Sequence, residues 1–327
     1  MELALRPVWV DASLRDDAIA RKRAASLFNG AVDHLFHYRG ERQAQLWLAV
    51  HRAHAPLFAD DAYAAIFASL YETLISQISG PGVHVVALGP GAGSKESLLL
   101  QALGGAGIAV RYTPIDASLE LACLSADAAP ASVETVDPVA GDLSLLASIG
   151  PWLDDRSGDR PRIVTAFGIS PNFAPSELFA RCRGVLRPGD RLLLSANLAG
   201  TSEEDGAYAR ACEAILPQYD NEPTKRWLRQ ILHDWDLSAA LSEPSFTIES
   251  IDGVRGFIAA SRWLRDVAFD WEGRAFSAAA GDRLRLFFSL RYTPARLSHA
   301  LEGNGLARGA GFVTPDGREG VWIVSPA

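Results

Sequence analysis

The residues of this chain best suited to chemistry are Gly89, Gly91 and Gly93, followed by Asp116 and then by Gly141-Asp142. The glycines occupy a turn between an apolar run (Val85, Val86, Leu88) and a helical pattern over 97–103. Such a turn lets backbone amides come close to a ligand at the start of the following helix. Asp116 closes a second apolar run about 20 residues past the turn, where a carboxylate suits a ribose cis-diol. Asp142 supplies another strand-end acid, able to accept from an exocyclic amine such as that of adenine. Two alternatives fail on spacing. Ser94 stands where the dinucleotide fingerprint needs its third glycine, and no Gly-Lys-Ser/Thr closes the turn as a triphosphate-binding loop would. A glycine turn with two strand-end acids favours an adenosyl cofactor without phosphates, and so S-adenosylmethionine.

These residues need strand ends to hold them. Strand patterns at 83–88, 110–115, 133–139, 162–167 and 191–195 alternate with helical ones at 97–103, 119–128 and 175–185. That rhythm predicts an α/β fold with a doubly wound, mostly parallel sheet, the class I (Rossmann-like) methyltransferase layout. Ligands of such sheets bind at the carboxyl ends of the strands, where the residues above fall. Residues 18–79 and 202–241 read as helical. After Pro244 the apolar period shifts towards two, which predicts antiparallel strands. A turn at Pro315-Asp316-Gly317 predicts a hairpin that finishes the main sheet. The expected organisation is a cofactor domain of residues 63–202 plus 291–327, and a second, α+β substrate-binding domain of 1–62 plus 203–290.

Bulk composition narrows the partners. The 327 residues are 48% hydrophobic and 21% charged, with a net charge of −8. Nothing in that balance attracts nucleic acid or anionic lipid in general. No apolar run approaches the roughly 20 residues of a membrane span, and the N-terminus lacks a signal-peptide layout. Cys123, Cys182 and Cys212 are widely spaced and form no metal motif. The expectation is a cytoplasmic protein acting on a small molecule, monomeric or weakly self-associating. His51 and His54 have helical spacing but no third ligand nearby, and read as a solvated helix face rather than a metal site.

Several stretches resemble the histidine-specific, S-adenosylmethionine-dependent methyltransferases, a family that includes the N-methylation of histidine in ergothioneine biosynthesis. They are Leu88-Gly-Pro-Gly-Ala-Gly-Ser-Lys95, Tyr112-x-Pro-Ile-Asp116-x-Ser118, Gly141-Asp142, Phe167-Gly-Ile-Ser-Pro-Asn-Phe173, Leu186-x-Pro-Gly-Asp190 and Tyr219-Asp-Asn221. A weaker match runs through Phe288-Ser289-x-Arg-Tyr-Thr293. The resemblance implies that Gly89, Gly91, Gly93, Lys95, Asp116, Gly141 and Asp142 hold the cofactor. It also implies that Asn172 contacts the amino and carboxylate groups of the substrate, and that Tyr219 holds the carboxylate through its hydroxyl. Tyr38, Phe58, Phe257, Phe287 and Ser289 fall at further substrate-contacting positions. No general base, triad or metal is implied, because methyl transfer to a neutral amine needs alignment and exclusion of water.

The departures carry the most information. Phe287 stands where the family reads the imidazole with a glutamate, Phe257 where it has a methionine, and Phe58 where it has a tyrosine. A desolvated imidazole without a partner costs on the order of 1–3 kcal/mol. The expected substrate is therefore an amino acid or related amine with an apolar or aromatic side chain, not histidine. Aminocarboxypropyl transfer or cyclisation on the same fold, and a non-catalytic cofactor-binding scaffold, remain open on the sequence alone.

Overall fold

The computed structural model describes residues 7–54, 60–202 and 204–327, so Phe58 lies outside the described residues. The chain opens with a two-residue strand β1 (Trp9–Val10) and the helices α1 (Asp16–Phe28), α2 (Glu41–His54) and α3 (Asp61–Gln77). An alternating stretch follows: β2 (Gly82–Leu88), α4 (Ser94–Gly105), β3 (Ala109–Asp116), α5 (Leu119–Asp127), β4 (Thr135–Val136), β5 (Val139–Ala140), α6 (Gly150–Ser157), β6 (Arg162–Ala166), α7 (Pro175–Val185) and β7 (Arg191–Asn197). Two helices, α8 (Asp205–Ile215) and α9 (Glu222–Asp234), lead into β8 (Ser245–Ile251), β9 (Val254–Arg262), β10 (Val267–Trp271), β11 (Arg274–Ala278) and β12 (Arg283–Leu290). The chain finishes with α10 (Pro294–Glu302), β13 (Leu306–Val313) and β14 (Glu319–Pro326).

The main sheet has the order β1-β5-β3-β2-β6-β7-β14-β13, with β4 also on β3. Its strands are parallel except β14, which runs antiparallel to β7 and to β13. The mostly parallel sheet and the closing hairpin are as expected from the sequence. One strand differs. The run at 133–139 is two short strands, because Asp137-Pro138 interrupts it and proline has no N–H for the ladder. Every residue of β2 is buried, as its unbroken apolar run requires of a strand covered on both faces. Leu70 and Leu74 of α3 and Leu99 and Leu103 of α4 cover one face. Leu178 and Phe179 of α7 and Leu297 of α10 cover the other.

The chain leaves β2 towards β3 and β5 on one side and later returns to β6 and β7 on the other. A topological switch point therefore lies at the carboxyl end of β2, directly before Gly89, and opens a crevice there. The opposite end of the sheet is closed. His84 is bonded to Ser157 (2.7 Å) and Thr113 (2.9 Å), and Asp190 accepts from the backbone N–H groups of Arg162 (2.7 Å) and Arg187 (2.8 Å).

A three-stranded antiparallel sheet, β12-β9-β8, lies beyond the main one, with β10 and β11 as a separate hairpin. Ile258, Phe288 and Leu290 of the small sheet share one apolar core with Leu194 and Trp322 of the large one. The other face of β12 packs Leu284, Leu286 and Phe287 with Leu27 of α1 and with Trp227 and Ile231 of α9. Among the described residues no helix is long and apolar enough to cross a membrane.

Candidate active site

Gly91 shows why the turn after β2 is glycine. Its φ is +58°, a left-handed value that side chains resist, and an added Cβ would lie 2.5 Å from Cη2 of Trp47. Gly89 is as tightly placed, 2.7 Å from Cγ2 of Ile169 by the same measure. The backbone N–H of Gly91 donates to Oδ2 of Asp116 (3.2 Å), and Oδ1 of Asp116 accepts from the N–H of Ser118 (3.0 Å). Strand β3 thus delivers its terminal carboxylate to the turn. Burial pushes the Asp116 carboxyl up to about 6, although hydrogen bonds from Ser118 and Gly91 oppose the rise. Beside it, burial raises Glu96 to about 7, with Thr165 Oγ1 donating to it at 3.0 Å.

A cavity of about 150 Å³ is enclosed here, with Gly89, Gly91, Lys95, Asp116 and Asn172 in its wall. Lys95 is half-buried, its Nζ 5.1 Å from the ring centre of Phe67, and burial lowers its basicity. Gly93 is not in this wall. An added Cβ there would meet Ser125 Oγ at 2.6 Å, so the residue packs α4 against α5. An S-adenosylmethionine molecule fits the chemistry of this cradle. The floor is bare backbone that a Cβ would fill, and the nearby carboxylate can accept from ribose hydroxyls.

A second cavity of about 460 Å³ adjoins the first and shares Tyr38, Trp47, His51, Lys95, Gly168 and Asn172 with it. Tyr219, Phe287 and Ser289 complete its wall. Five of the substrate positions expected from the sequence (Tyr38, Asn172, Tyr219, Phe287 and Ser289) thus converge from distant segments. Asn172 Nδ2 donates to Tyr38 Oη (3.2 Å), and Tyr219 Oη lies 2.8 Å from Ser289 Oγ. Phe257 is the correction. It is fully buried behind Tyr219, ring centres 4.4 Å apart, and supports that ring without reaching the cavity.

His51 also differs from its reading as a solvated residue. It stacks on Trp47 with ring centres 4.9 Å apart and lines both cavities, and burial drops its pKa to about 4. Trp47 and Arg291 are among the wall residues that sequence reasoning missed. A tryptophan on an otherwise ordinary helix gives no warning that it covers a glycine turn 44 residues later (91 − 47). Arg291 had a signal, a charge directly after the apolar run Leu286–Leu290 that carries Phe287 and Ser289.

Gly141 and Asp142 sit apart from the smaller cavity. Gly141 is a packing residue, because an added Cβ would lie 2.3 Å from Cδ2 of Leu145. Asp142 caps a short helical turn through Ser144 and forms an ion pair with Lys22 of α1 (2.5 Å), which also reaches Asp33 (3.2 Å). It lines a separate open cavity of about 850 Å³, which meets the smaller one at Tyr38, Ala117, Leu143 and Phe173. Although burial alone would raise it, hydrogen bonding and charge from Lys22 hold the Asp142 carboxyl below its ordinary 3.8. A depressed carboxyl adds stability above its unfolded pKa and loses it as pH falls through the folded value. Lys22→Met should therefore cost about 1–3 kcal/mol at pH 7, since it strands a mostly buried carboxylate. Urea denaturation should show the difference shrinking towards pH 3.

Solved structures of similar fold include magnesium protoporphyrin IX methyltransferase from Synechocystis PCC 6803 with bound SAH, at 13% identity, covering 89% of this chain and 96% of that one, with a TM-score of 0.44. The CcbJ methyltransferase from Streptomyces caelestis is 14% identical over 80% of this chain and 94% of its own, with a TM-score of 0.39. The 1,6-didemethyltoxoflavin-N1-methyltransferase of Burkholderia thailandensis is 13% identical over 86% and 85%, with a TM-score of 0.40. Curated proteins give no match. Residues 61–325, from α3 to the last strand, match the family described as histidine-specific methyltransferase, SAM-dependent. With four-fifths of its length inside that match, the chain belongs to the SAM-dependent, histidine-specific methyltransferase family.

Proposed function

We propose that this methyltransferase N-methylates an amino acid or related small amine whose side chain is apolar or aromatic, in preference to histidine. The observation that carries the reading is the wall around Phe287. Its ring lies 5.3 Å from that of Trp227 and 5.7 Å from that of His37. The Trp227 indole N–H is spent on the carbonyl of His37 (2.9 Å), and His37 Nε2 is bonded to the carbonyl of Leu286. Burial lowers His37 to about 3 and keeps it neutral. A substrate imidazole entering here would trade water for rings, at a cost of order 1–3 kcal/mol. A phenyl or aliphatic group would gain about 25 cal/mol for each Å² removed from water.

S-adenosylmethionine supplies an electrophilic methyl group when bound. The chain's own part is to hold the acceptor. In this reading, Asn172 and Tyr38 contact the amino end and Tyr219 with Ser289 the carboxylate. Trp47 and Tyr38 shield the junction of the two cavities from water. The amine must arrive neutral. His51, its basicity lowered by burial, is a poor base for an alkylammonium, so this reading gives it no proton-accepting role.

Incubation with S-adenosylmethionine and a panel of amino acids, read by mass spectrometry, tests the proposal. Products heavier by one or more methylene units should form from apolar and aromatic amino acids at higher kcat/KM than from histidine. Histidine as the best substrate would overturn it.

A further inference from the structure

Arg291 is a buried cation in the wall of the larger cavity, and its bonding is unusual. It follows β12 directly, is 7% exposed, and lines the same cavity as Tyr219 and Ser289. Its Nη2 donates to Tyr219 Oη at 2.6 Å. Its Nη1 donates to Asn197 Oδ1, with that amide turned so that Nδ2 donates to Glu319 Oε2 (3.0 Å). Its Nε is buried and has no partner among the described residues. The guanidinium also lies over the rings of Tyr219 (5.4 Å) and Phe257 (5.7 Å), so its position is fixed from several sides.

Proton counting shows what this arrangement wants. The Tyr219 hydroxyl has one proton and two lone pairs, and the bond from Arg291 occupies one lone pair. Ser289 Oγ, 2.8 Å away, has one proton of its own. Only one of the two hydroxyl protons can lie between these oxygens. The other finds no acceptor among the described residues, and neither does Arg291 Nε–H. One hydroxyl proton of the Tyr219–Ser289 pair is therefore left in the cavity wall with nothing to receive it, and the fixed charge of Arg291 polarises it. The nearest balancing acid, Glu319, is shared between two cations. Asn197 and Tyr63 donate to it, and Lys95 offsets its charge along with Arg291.

We propose that Arg291 is a specificity-determining positioning residue. Acting through Tyr219, it makes the phenol an obligate donor, so that the enzyme accepts substrates with a free carboxylate and rejects the corresponding carboxamides and decarboxylated amines. A carboxamide presents its own N–H groups to donors already in surplus, and a decarboxylated amine leaves them unpaired. The inference rests on the amino-acid reading above but not on which side chain is preferred.

The test is isothermal titration in the presence of S-adenosylhomocysteine. It compares the amino acid that turns over best with its carboxamide and its decarboxylated amine. Should histidine prove best, the histidine trio is used, so failure of the side-chain reading leaves this test intact. The wild-type enzyme should bind the acid about 100-fold more tightly than either analogue. Arg291→Met should shrink that ratio below about 10 by weakening the acid alone, and Arg291→Lys should fall between. S-adenosylhomocysteine affinity reports whether each variant keeps its fold. Equal loss for acid and amide in Arg291→Met would make Arg291 merely structural. Equal binding of acid and amide by the wild-type enzyme would overturn the proposal without recourse to any variant.

Discussion

Asp116→Ala should raise the dissociation constant for S-adenosylmethionine by at least about 100-fold, because a carboxylate accepting from ribose hydroxyls makes charge-assisted bonds worth roughly 1.5–3 kcal/mol each. The same carboxylate also holds the N–H of Gly91, so its loss loosens the turn that the adenosyl group would lie against. Asp116→Asn keeps the shape and an acceptor oxygen and should lose less, about 10-fold. Titration calorimetry measures both. Affinity of the wild-type protein should fall as pH drops below about 6, where burial places the Asp116 proton, and Asp116→Asn should abolish that dependence. The contribution of Asp116 to fold stability runs the other way. A carboxyl raised from 3.8 to about 6 favours the folded state at low pH and withdraws that support as pH climbs through 6. Buried His34, His37 and His51, lowered by burial, destabilise the fold over the same range as pH falls, so the Asp116 share is read as the difference in pH dependence between the wild type and Asp116→Asn. Cofactor affinity unchanged in Asp116→Ala would remove this acid from the site.

Which parts of this molecule could be read from its sequence depends on how local each signal is. The strand–turn–helix around Gly91 was legible because a strand buried on both faces is an unbroken apolar run and the turn must be glycine. The pairing of Phe287 with Ser289 was legible too. Alternate residues of a strand share a face, and both line one cavity while Phe288 lines another. Phe257 shows the limit of that logic. It sits directly opposite Ser289 in the β9–β12 ladder and so on the same face, as expected. What hides it is the Tyr219 ring, which lies flat on Phe257 while its hydroxyl reaches Ser289. Nothing near Phe257 in sequence announces a tyrosine 38 residues earlier (257 − 219). Lys22 and Asp142 are likewise 120 residues apart (142 − 22), and an ion pair of that span has no local signature. Contacts made by α1 and α2 were the least legible. Helices that cover a site reveal their apolar face in the sequence, but not the site they cover.

Phe287→Glu should reverse substrate preference. The ring it replaces lines the larger cavity, within 5.3 Å of Trp227 and 6.1 Å of His34 by ring centres. A carboxylate there would face an apolar substrate with a desolvated charge, and kcat/KM for that substrate should fall on the order of 100-fold. Histidine gains the acceptor that the wild-type wall withholds, and its kcat/KM should rise by about 10-fold or more. The preference ratio would then shift by about a thousandfold. His34 and His37, both held near 3 chiefly by burial, would regain basicity beside the new charge, so the reversal should weaken at low pH, where they protonate and pair with the glutamate in competition with substrate. Phe287→Gln offers an acceptor without the charge and serves where the glutamate variant folds poorly. Phe287→Leu keeps the wall apolar and should leave the preference in place. Steady-state kinetics on histidine and one aromatic amino acid decide the matter. If neither polar variant gains on histidine while Phe287→Leu behaves like the wild type, Phe287 does not meet the substrate side chain, and specificity lies with Trp227 and Tyr38 instead.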